Sequence, residues 1–545
     1  MRMLGLNRVH KSDRLWLSVY ARRRSSTQPT LATSFPGDLN RSYHKLAMRT
    51  KLIRLGGWVA AYGALILVLA LAVTWAKRRS EVDSVSDEQK IARSLEIIRT
   101  STPANRKVLK VLFYGQSITA SGWHNAVVDH WRQRYPNTVF VVQNRAIGGF
   151  SSQILERTTE QDIAAFYPDL IVFHVYGDHR AYERIIRMFR SLTAADIIVQ
   201  TDHGDVFPAP PCAEGLQLTL QRQQGCAGIL WLHQRSWGDE MSYHKIPALA
   251  KKYGLALEPQ RTWWREYLLR EHIEPSSLLV DGLHPNARGK ALMAAFFNQF
   301  FDNLVDNWRG QTERNVTSIP EPTSGHLRGQ EAIVFNGSRI EMLMSKPVIT
   351  WPAVTIDGGA SEELDGCYQV TRTTPTPTAP DWPAIRRITL QHDHTPEEWT
   401  VTLNRISLDQ KSFDFSVNGS VSGEQGDGNS AENFVAKSGK LRIEAKDWMI
   451  EPAFELTHIP ITPPFAVRWS VDYDCGNDPE VIDLGNGTTQ YRYVVAMGLT
   501  NASHQAKLSP PLTGLDGLTE IRIYRPPLEV GGISSIVSAI EMRLR

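Results

Sequence analysis

The run Val108-Leu109-Lys110-Val111-Leu112-Phe113-Tyr114, followed at once by Gly115-Gln116-Ser117-Ile118-Thr119, decides how this chain is read. Its apolarity is continuous rather than alternating, which suits a strand covered by helices on both faces. A glycine ends the run, and a helical pattern opens near Gly122, so Ser117 falls on a tight turn at the strand's carboxyl end. There its backbone N–H points into the same pocket as its hydroxyl, which is what an oxyanion needs. A serine hydroxyl is a poor nucleophile until a base takes its proton, and the base works best when a carboxylate orients it. Asp281-Gly282-Leu283-His284-Pro285 supplies both partners three residues apart, just before another helical pattern, in the chain order Ser…Asp…His.

Outward from that strand, further apolar runs lie at Val139–Val142, Leu170–Tyr176 and Ile197–Gln200. Helical patterns lie between and after them, at Gly122–Arg134, Tyr182–Leu192, Asp239–Tyr253 (interrupted by Pro247) and Ala287–Leu304. Alternation of this kind predicts an α/β domain with a mainly parallel sheet over residues 107–309. A Pro- and Gln-rich insert, about His203 to Trp237, follows the fourth strand. Loops at the carboxyl ends of parallel strands form the mouth of such a site, so the insert reads as a lid, a substrate wall or a plain surface excursion. Residues 310–330, polar with Pro320 and Pro322, read as a linker. Over 331–545 short alternating strands such as Trp399–Leu403 and Ser412–Val417 predict an all-β sandwich, an accessory domain. Its turn signals are Asp357-Gly358-Gly359, Asn418-Gly419 and the glycine-rich stretch Gly423–Asn429.

The 545 residues are too many for one compact core, and 42% hydrophobic with 21% charged content describes a folded protein. Net charge is +3, but residues 1–80 hold a positive surplus larger than that, so the remainder is acidic and no nucleic-acid partner is expected. The four cysteines, Cys212, Cys226, Cys367 and Cys475, fall as one pair in each of the two domains and form no C-x-x-C. They read either as the disulfides Cys212–Cys226 and Cys367–Cys475 or as unpaired thiols. Asp202-His203-Gly204-Asp205 and the pair His174 and His179 are metal-capable but match no metal-site spacing, so neither metal nor cofactor is expected.

Leu55 to Ala76 is free of charge and long enough, at about 1.5 Å per residue, to span a bilayer core of about 30 Å. Trp58, Tyr62 and Trp75 near its ends suit the interface. The Lys/Arg bias of residues 1–54 places that tail inside and everything after Arg79 on the exported side. Ala70-Leu71-Ala72 also resembles a signal cleavage site, so 55–76 reads as a retained transmembrane anchor or a cleaved signal. Met48 offers an alternative start, and 77–106 reads as a juxtamembrane linker.

Over about residues 107–305 the chain resembles the SGNH (GDSL-type) hydrolase superfamily. Gly115-Gln116-Ser117-Ile118 resembles that family's first block, with Gln116 where Asp is usual. Asn144-Arg145-Ala146-Ile147-Gly148-Gly149 resembles the second and Asp281-Gly282-Leu283-His284 the last. The resemblance implies a flavodoxin-like three-layer fold, Ser117 as nucleophile, His284 as base and Asp281 as its partner. It also implies an oxyanion hole from the N–H groups of Ser117 and Gly149. The third block departs: Gly177-Asp178-His179-Arg180 puts Asp178 where the family has an asparagine donor. Three outcomes follow: a protonated Asp178, substitution by His179 or Arg180, or a weak or inactive relative. The function expected is an exported, membrane-anchored serine esterase acting on O-acyl esters, acetyl foremost, of carbohydrates or small molecules. The alternatives are an O-acyltransferase and an inactive scaffold that binds glycans or envelope partners.

Overall fold

The structure is a computed structural model and describes residues 85–204, 237–310, 315–320, 332–391, 394–476, 478–509 and 517–528. The apolar run 55–76, Cys212, Cys226 and the insert 205–236 lie outside these residues. Among the described residues no helix is long and apolar enough to cross a membrane.

Five parallel strands form the first sheet: β1 (Lys107–Gly115), β2 (Thr138–Asn144), β3 (Leu170–His174), β4 (Asp196–Gln200) and β5 (Ala256–Glu258). Their order is β2-β1-β3-β4-β5, the doubly wound arrangement whose chain direction reverses between β1 and β3. Among the described residues, seven helices of eight or more residues accompany it: α1 (Ala92–Thr100), α2 (Trp123–Arg134), α3 (Thr159–Phe166), α4 (His179–Leu192), α5 (Ile246–Tyr253), α6 (Gln260–Glu271) and α7 (Ala287–Asn307). Because successive strand side chains point to opposite faces, Leu109, Val111 and Phe113 join a core with Trp123, Trp131, Phe297 and Phe301 of α2 and α7. Leu112 and Tyr114 join Ile163, Ile185, Phe189 and Leu249 of α3, α4 and α5 on the other face. The continuous apolarity of β1 is thus the signature of a buried middle layer.

Residues 85–100, expected within a linker, belong to this domain instead. Ile91, Leu95 and Ile98 share one helix face and are buried in the core, and Ser94 Oγ donates to Asp196 Oδ2 at 2.7 Å.

The β-rich part holds two sandwiches, one inserted in the other, where a single one was expected. The strands of the outer sandwich are β6 (Val316–Pro320), β7 (Ala332–Asn336), β8 (Arg339–Met344), β9 (Ala353–Ile356), β10 (Gly359–Ala360) and, much later, β21 (Glu480–Asp483), β22 (Thr489–Ala496), β23 (Ser503–Ser509) and β24 (Leu518–Tyr524). One of its sheets has the order β10-β9-β23-β7 and the other β21-β22-β8-β24-β6. They enclose Phe335, Met342, Val354, Tyr493, Ala506 and Ile521. β6 lies inside the segment expected as a linker: Val316 to Pro320 pair antiparallel with β24.

The inner sandwich runs from β11 (Tyr368–Val370) to β20 (Phe465–Tyr473). It contains the hairpin β12 (Pro375–Thr376) and β13 (Ala379–Pro383), then β14 (Ile388–Leu390), β15 (Glu397–Ile406), β16 (Phe413–Gly419), β17 (Gly423–Asn429), β18 (Phe434–Val435), β19 (Leu441–Ile443) and helix α8 (Ile450–Thr457). Trp399, Val401, Phe415, Trp469 and Ile443 fill its core. The disulfide Cys367–Cys475 joins the residue before β11 to a residue just after β20, closing the neck of the insertion. Gly423–Asn429, read as a turn, is strand β17, paired with β16. Gly423 and Gly426 take positive φ, at +71° and +109°, whereas Gly428 makes room: a Cβ there would stand 2.5 Å from the Phe415 ring.

Candidate active site

Ser117, Asp281 and His284 come together at the carboxyl end of β1, beside the reversal point of the sheet. β1 ends at Gly115, where any side chain is excluded because a Cβ would lie 1.9 Å from His174 O of β3. That close approach carries the chain straight into a single helical turn, Ser117–Ala120, whose first residue is the serine. Thr119 Oγ1 donates to His174 O at 3.3 Å and Ala120 N to Gln116 O at 2.8 Å, fixing the turn.

The loop carrying Asp281 and His284 is closed by its own backbone. Val280 N donates to His284 O at 2.8 Å, Asn286 N to Leu278 O at 2.9 Å, and Leu279 bridges Pro285. Gly282, at φ +84°, makes the sharp corner. Asp281 Oδ1 accepts from Leu283 N at 3.1 Å and His284 N at 2.8 Å, and its Oδ2 lies 2.8 Å from His284 Nδ1. The His284 backbone and ring N–H bonds, with that of Leu283 N, hold this carboxyl well below the usual carboxylate range. An ionised carboxylate only accepts, so Nδ1 carries the ring proton and Nε2 presents a lone pair. That lone pair faces Ser117 Oγ at 2.9 Å. Capping of α7 falls to Asn286, whose side chain accepts from Gly289 N at 3.0 Å, so Asp281 is left for the imidazole.

The loop after β2 runs beside the serine. Arg145 N and Ile147 N donate to Phe113 O and Gly115 O, both at 3.0 Å. Asn144 Nδ2 donates to Thr119 O at 2.9 Å while its Oδ1 accepts from Ala146 N at 3.0 Å, tying this loop to the turn that carries Ser117. A Cβ on Gly148 would be 3.9 Å from Ser117 Cβ. Gly149 follows at φ +81°. Neither its N–H nor that of Ser117 has a partner among the described residues.

Asp178 is not a donor to this pocket. Its Oδ1 accepts from Arg180 N at 2.9 Å and Ala181 N at 3.0 Å, the N-cap of α4. The Ala181 bond foremost, with that of Arg180, lowers its pKa. Both bonds and the lowered pKa favour the ionised form, which has no proton to offer. His179 and Arg180 open α4, and neither hydrogen-bonds Ser117, Asp281 or His284.

One residue that the sequence marked only as metal-capable supports the loop carrying Asp281 and His284. His203 Nε2, three residues beyond β4, lies 2.7 Å from Leu283 O, and Nδ1 lies 3.0 Å from Asp202 Oδ1. Since a carbonyl only accepts, Nε2 must carry a proton. Asp202 also receives His174 Nε2 at 3.2 Å and a short bond from the Tyr176 hydroxyl. Burial alone would raise the Asp202 carboxyl, but the His203 charge and the His174 and His203 bonds reverse this and hold it ionised. Burial depresses His203, yet Asp202 outweighs it and the imidazole is raised. The signal in the sequence was the Asp-His pair directly after an apolar strand, read only as metal-capable; among the described residues no group could hold a metal ion.

No family model and no curated protein matches this sequence. Among solved structures the chain is similar to Axe2, an acetylxylan esterase from Geobacillus stearothermophilus, at 18% identity over 37% of this chain and 95% of that one, with a TM-score of 0.27. It is similar to the acetyl xylan esterase AlAXEase at 17% identity over 35% of this chain and 99% of that one, with a TM-score of 0.27. It is also similar to LAE5, an alpha/beta hydrolase from the metagenome of Lake Arreo, Spain, at 18% identity over 36% and 96% of the two chains, with a TM-score of 0.25.

Proposed function

We propose that this protein is a serine esterase. The observation that carries the proposal is the unbroken relay Asp281 Oδ2, His284 Nδ1 and Nε2, Ser117 Oγ, with steps of 2.8 and 2.9 Å. His284 Nε2 takes the proton as Ser117 Oγ attacks an ester carbonyl, and Asp281 stabilises the resulting imidazolium. The N–H groups of Ser117 and Gly149 receive the oxyanion. Collapse of the tetrahedral adduct breaks the C–O bond, and the proton on Nε2 passes to the leaving alcohol. Water then repeats the sequence on the acyl-enzyme and frees Ser117.

The substrate class proposed is O-acyl, acetyl foremost, on carbohydrate, supported by the likeness of the sequence blocks to SGNH hydrolases and by the β-sandwich companions. Export and membrane anchoring are proposed from the hydropathy and flanking charge of residues 55–76. The Cys367–Cys475 bridge is of the kind that persists in an oxidising compartment.

The test uses the full chain in detergent, with a fluorophosphonate probe, p-nitrophenyl acetate and an acetylated oligosaccharide, beside Ser117→Ala. Labelling and acetate release are expected from the wild type and absent from the variant. Turnover that survives Ser117→Ala would refute the nucleophile, and a folded wild type that neither labels nor turns over would favour the inactive scaffold. Transfer of the acetyl group to an added polyol, in place of release to water, would indicate an acyltransferase.

A further inference from the structure

The loop bearing Gly148 and Gly149 is gripped by a residue more than two hundred positions away. Trp382, on strand β13 of the inner sandwich, donates its indole Nε1–H to Gly148 O at 2.6 Å. A Cβ on Gly149 would meet the same ring at 2.9 Å. The indole is 8% exposed and stands edge-on to Phe150, ring centroids 5.4 Å apart. Nearby, Arg372 donates to Arg145 O at 2.5 Å and to the two oxygens of buried Asp162 at 2.6 and 2.8 Å. Asp162 in turn receives the hydroxyl of Tyr114, the residue before Gly115, at 2.9 Å. Ala379, Trp382, Met449 and Ala453 of the inner sandwich share one hydrophobic core with Leu112, Ile147 and Phe150.

The geometry of one peptide unit gives these contacts a consequence. Gly148 C=O and Gly149 N–H belong to the same planar, trans amide, so they point in opposite directions. A donor that fixes the carbonyl from behind also aims the N–H forward, and the bond polarises the amide it joins. We infer that Trp382 is a positioning residue for the oxyanion hole and that the inner sandwich completes the active site of the α/β domain. The relay is indole N–H to Gly148 O, then Gly149 N–H to the oxyanion. This inference rests on the reading of Ser117 as an esterase nucleophile with Gly149 N–H as oxyanion donor.

The test compares full-length wild type with Trp382→Phe, which keeps an aromatic ring and loses the N–H, and with Trp382→Ala. Rates are normalised to active sites titrated with the fluorophosphonate probe, and amide hydrogen exchange is followed over residues 145–151. A misaimed donor should cost about 10-fold in kcat for Trp382→Phe and approach 100-fold for Trp382→Ala, with KM within about twofold. Exchange of the Phe150 amide, which donates to Ile147 O at 3.2 Å within this loop, should quicken in both. Arg387→Ala, which removes a pair with Glu160 at 2.7 Å elsewhere on the same interface, should leave kcat unchanged. The inference is overturned if Trp382→Phe keeps wild-type kcat and wild-type exchange, or if Arg387→Ala lowers kcat equally, which would mean general docking. If wild type itself fails to turn over ester, the esterase reading falls while the exchange data still decide whether Trp382 holds the loop.

Discussion

Substitution of Asp178 separates its structural role from the catalytic one its position suggests. The carboxylate is exposed and spends Oδ1 on two backbone donors of the first turn of α4. Replacement by alanine removes an N-cap, which costs about 0.5–2 kcal/mol, and the exposed setting points to the lower half of that range. For a domain of this size, about 1 kcal/mol lowers Tm by roughly 2–4 °C. Asparagine caps as well as aspartate, so Asp178→Asn should lose only the helix-dipole share, a few tenths of a kcal/mol. Neither variant touches the oxyanion donors, so kcat/KM with p-nitrophenyl acetate should stay within about threefold of wild type. A residue that acts in the oxyanion hole gives a different result, since loss of one donor costs about 10²–10³-fold in kcat. Initial rates normalised to titrated sites, together with thermal unfolding, read both quantities. The cap assignment is refuted if Asp178→Asn raises kcat tenfold or more by supplying an amide donor. It is equally refuted if Asp178→Ala abolishes turnover at unchanged Tm.

Asp281→Asn should lower kcat by about 10³–10⁴-fold with KM nearly unchanged, because an amide no longer enforces the Nδ1–H tautomer; steady-state kinetics check this. His203→Gln should remove a pH dependence of stability. The raised pKa of His203 means its ion pair contributes fully below the unfolded value of about 6.5 and is lost as pH rises through the folded value. The Tm gap between wild type and His203→Gln should therefore be widest near pH 6 and shrink toward pH 9, and a gap independent of pH would refute the charged pair. Gly428→Ala forces a methyl to within 2.5 Å of the Phe415 ring and should destabilise the inner sandwich by about 1–3 kcal/mol, read by denaturant unfolding.

Much of the α/β domain was legible because its evidence is local. Val108–Tyr114 reads as a buried strand from composition alone, and Asp281-Gly282-Leu283-His284 encodes its own corner through one glycine at positive φ. β5 was not found, since three residues give no periodicity, and α1 was hidden inside a charged stretch taken for a linker. The second sandwich could not be separated from the first, because alternation identifies strands and says nothing of which sheet they join. Gly423–Asn429 misled for a definite reason: glycine signals a turn locally, whereas here Gly428 answers to the Phe415 ring of the neighbouring strand. Asp178 misled similarly, its place in the third block pointing to the pocket while its carboxylate serves the helix it begins.

The parts of the site that sequence could not supply share one character: each holds a catalytic loop from behind, from far along the chain. His174 O leaves room only for glycine at 115 and so sets the nucleophile turn. His203, three residues beyond β4, lies 2.7 Å from Leu283 O, one residue from His284. Trp382, from the inner sandwich, holds Gly148 O, the carbonyl of the amide that bears the proposed oxyanion donor. In the last two cases the contact is made to a backbone carbonyl of the loop, which holds its shape whatever side chains it carries. If Ser117 and Gly149 are the oxyanion donors proposed above, holding them in place spares reorganisation, because fixed dipoles already face the developing charge. Rigid support of this kind offers a physical reason why a chain whose third block supplies a helix cap in place of a donor can still keep a complete Ser117, His284 and Asp281 relay.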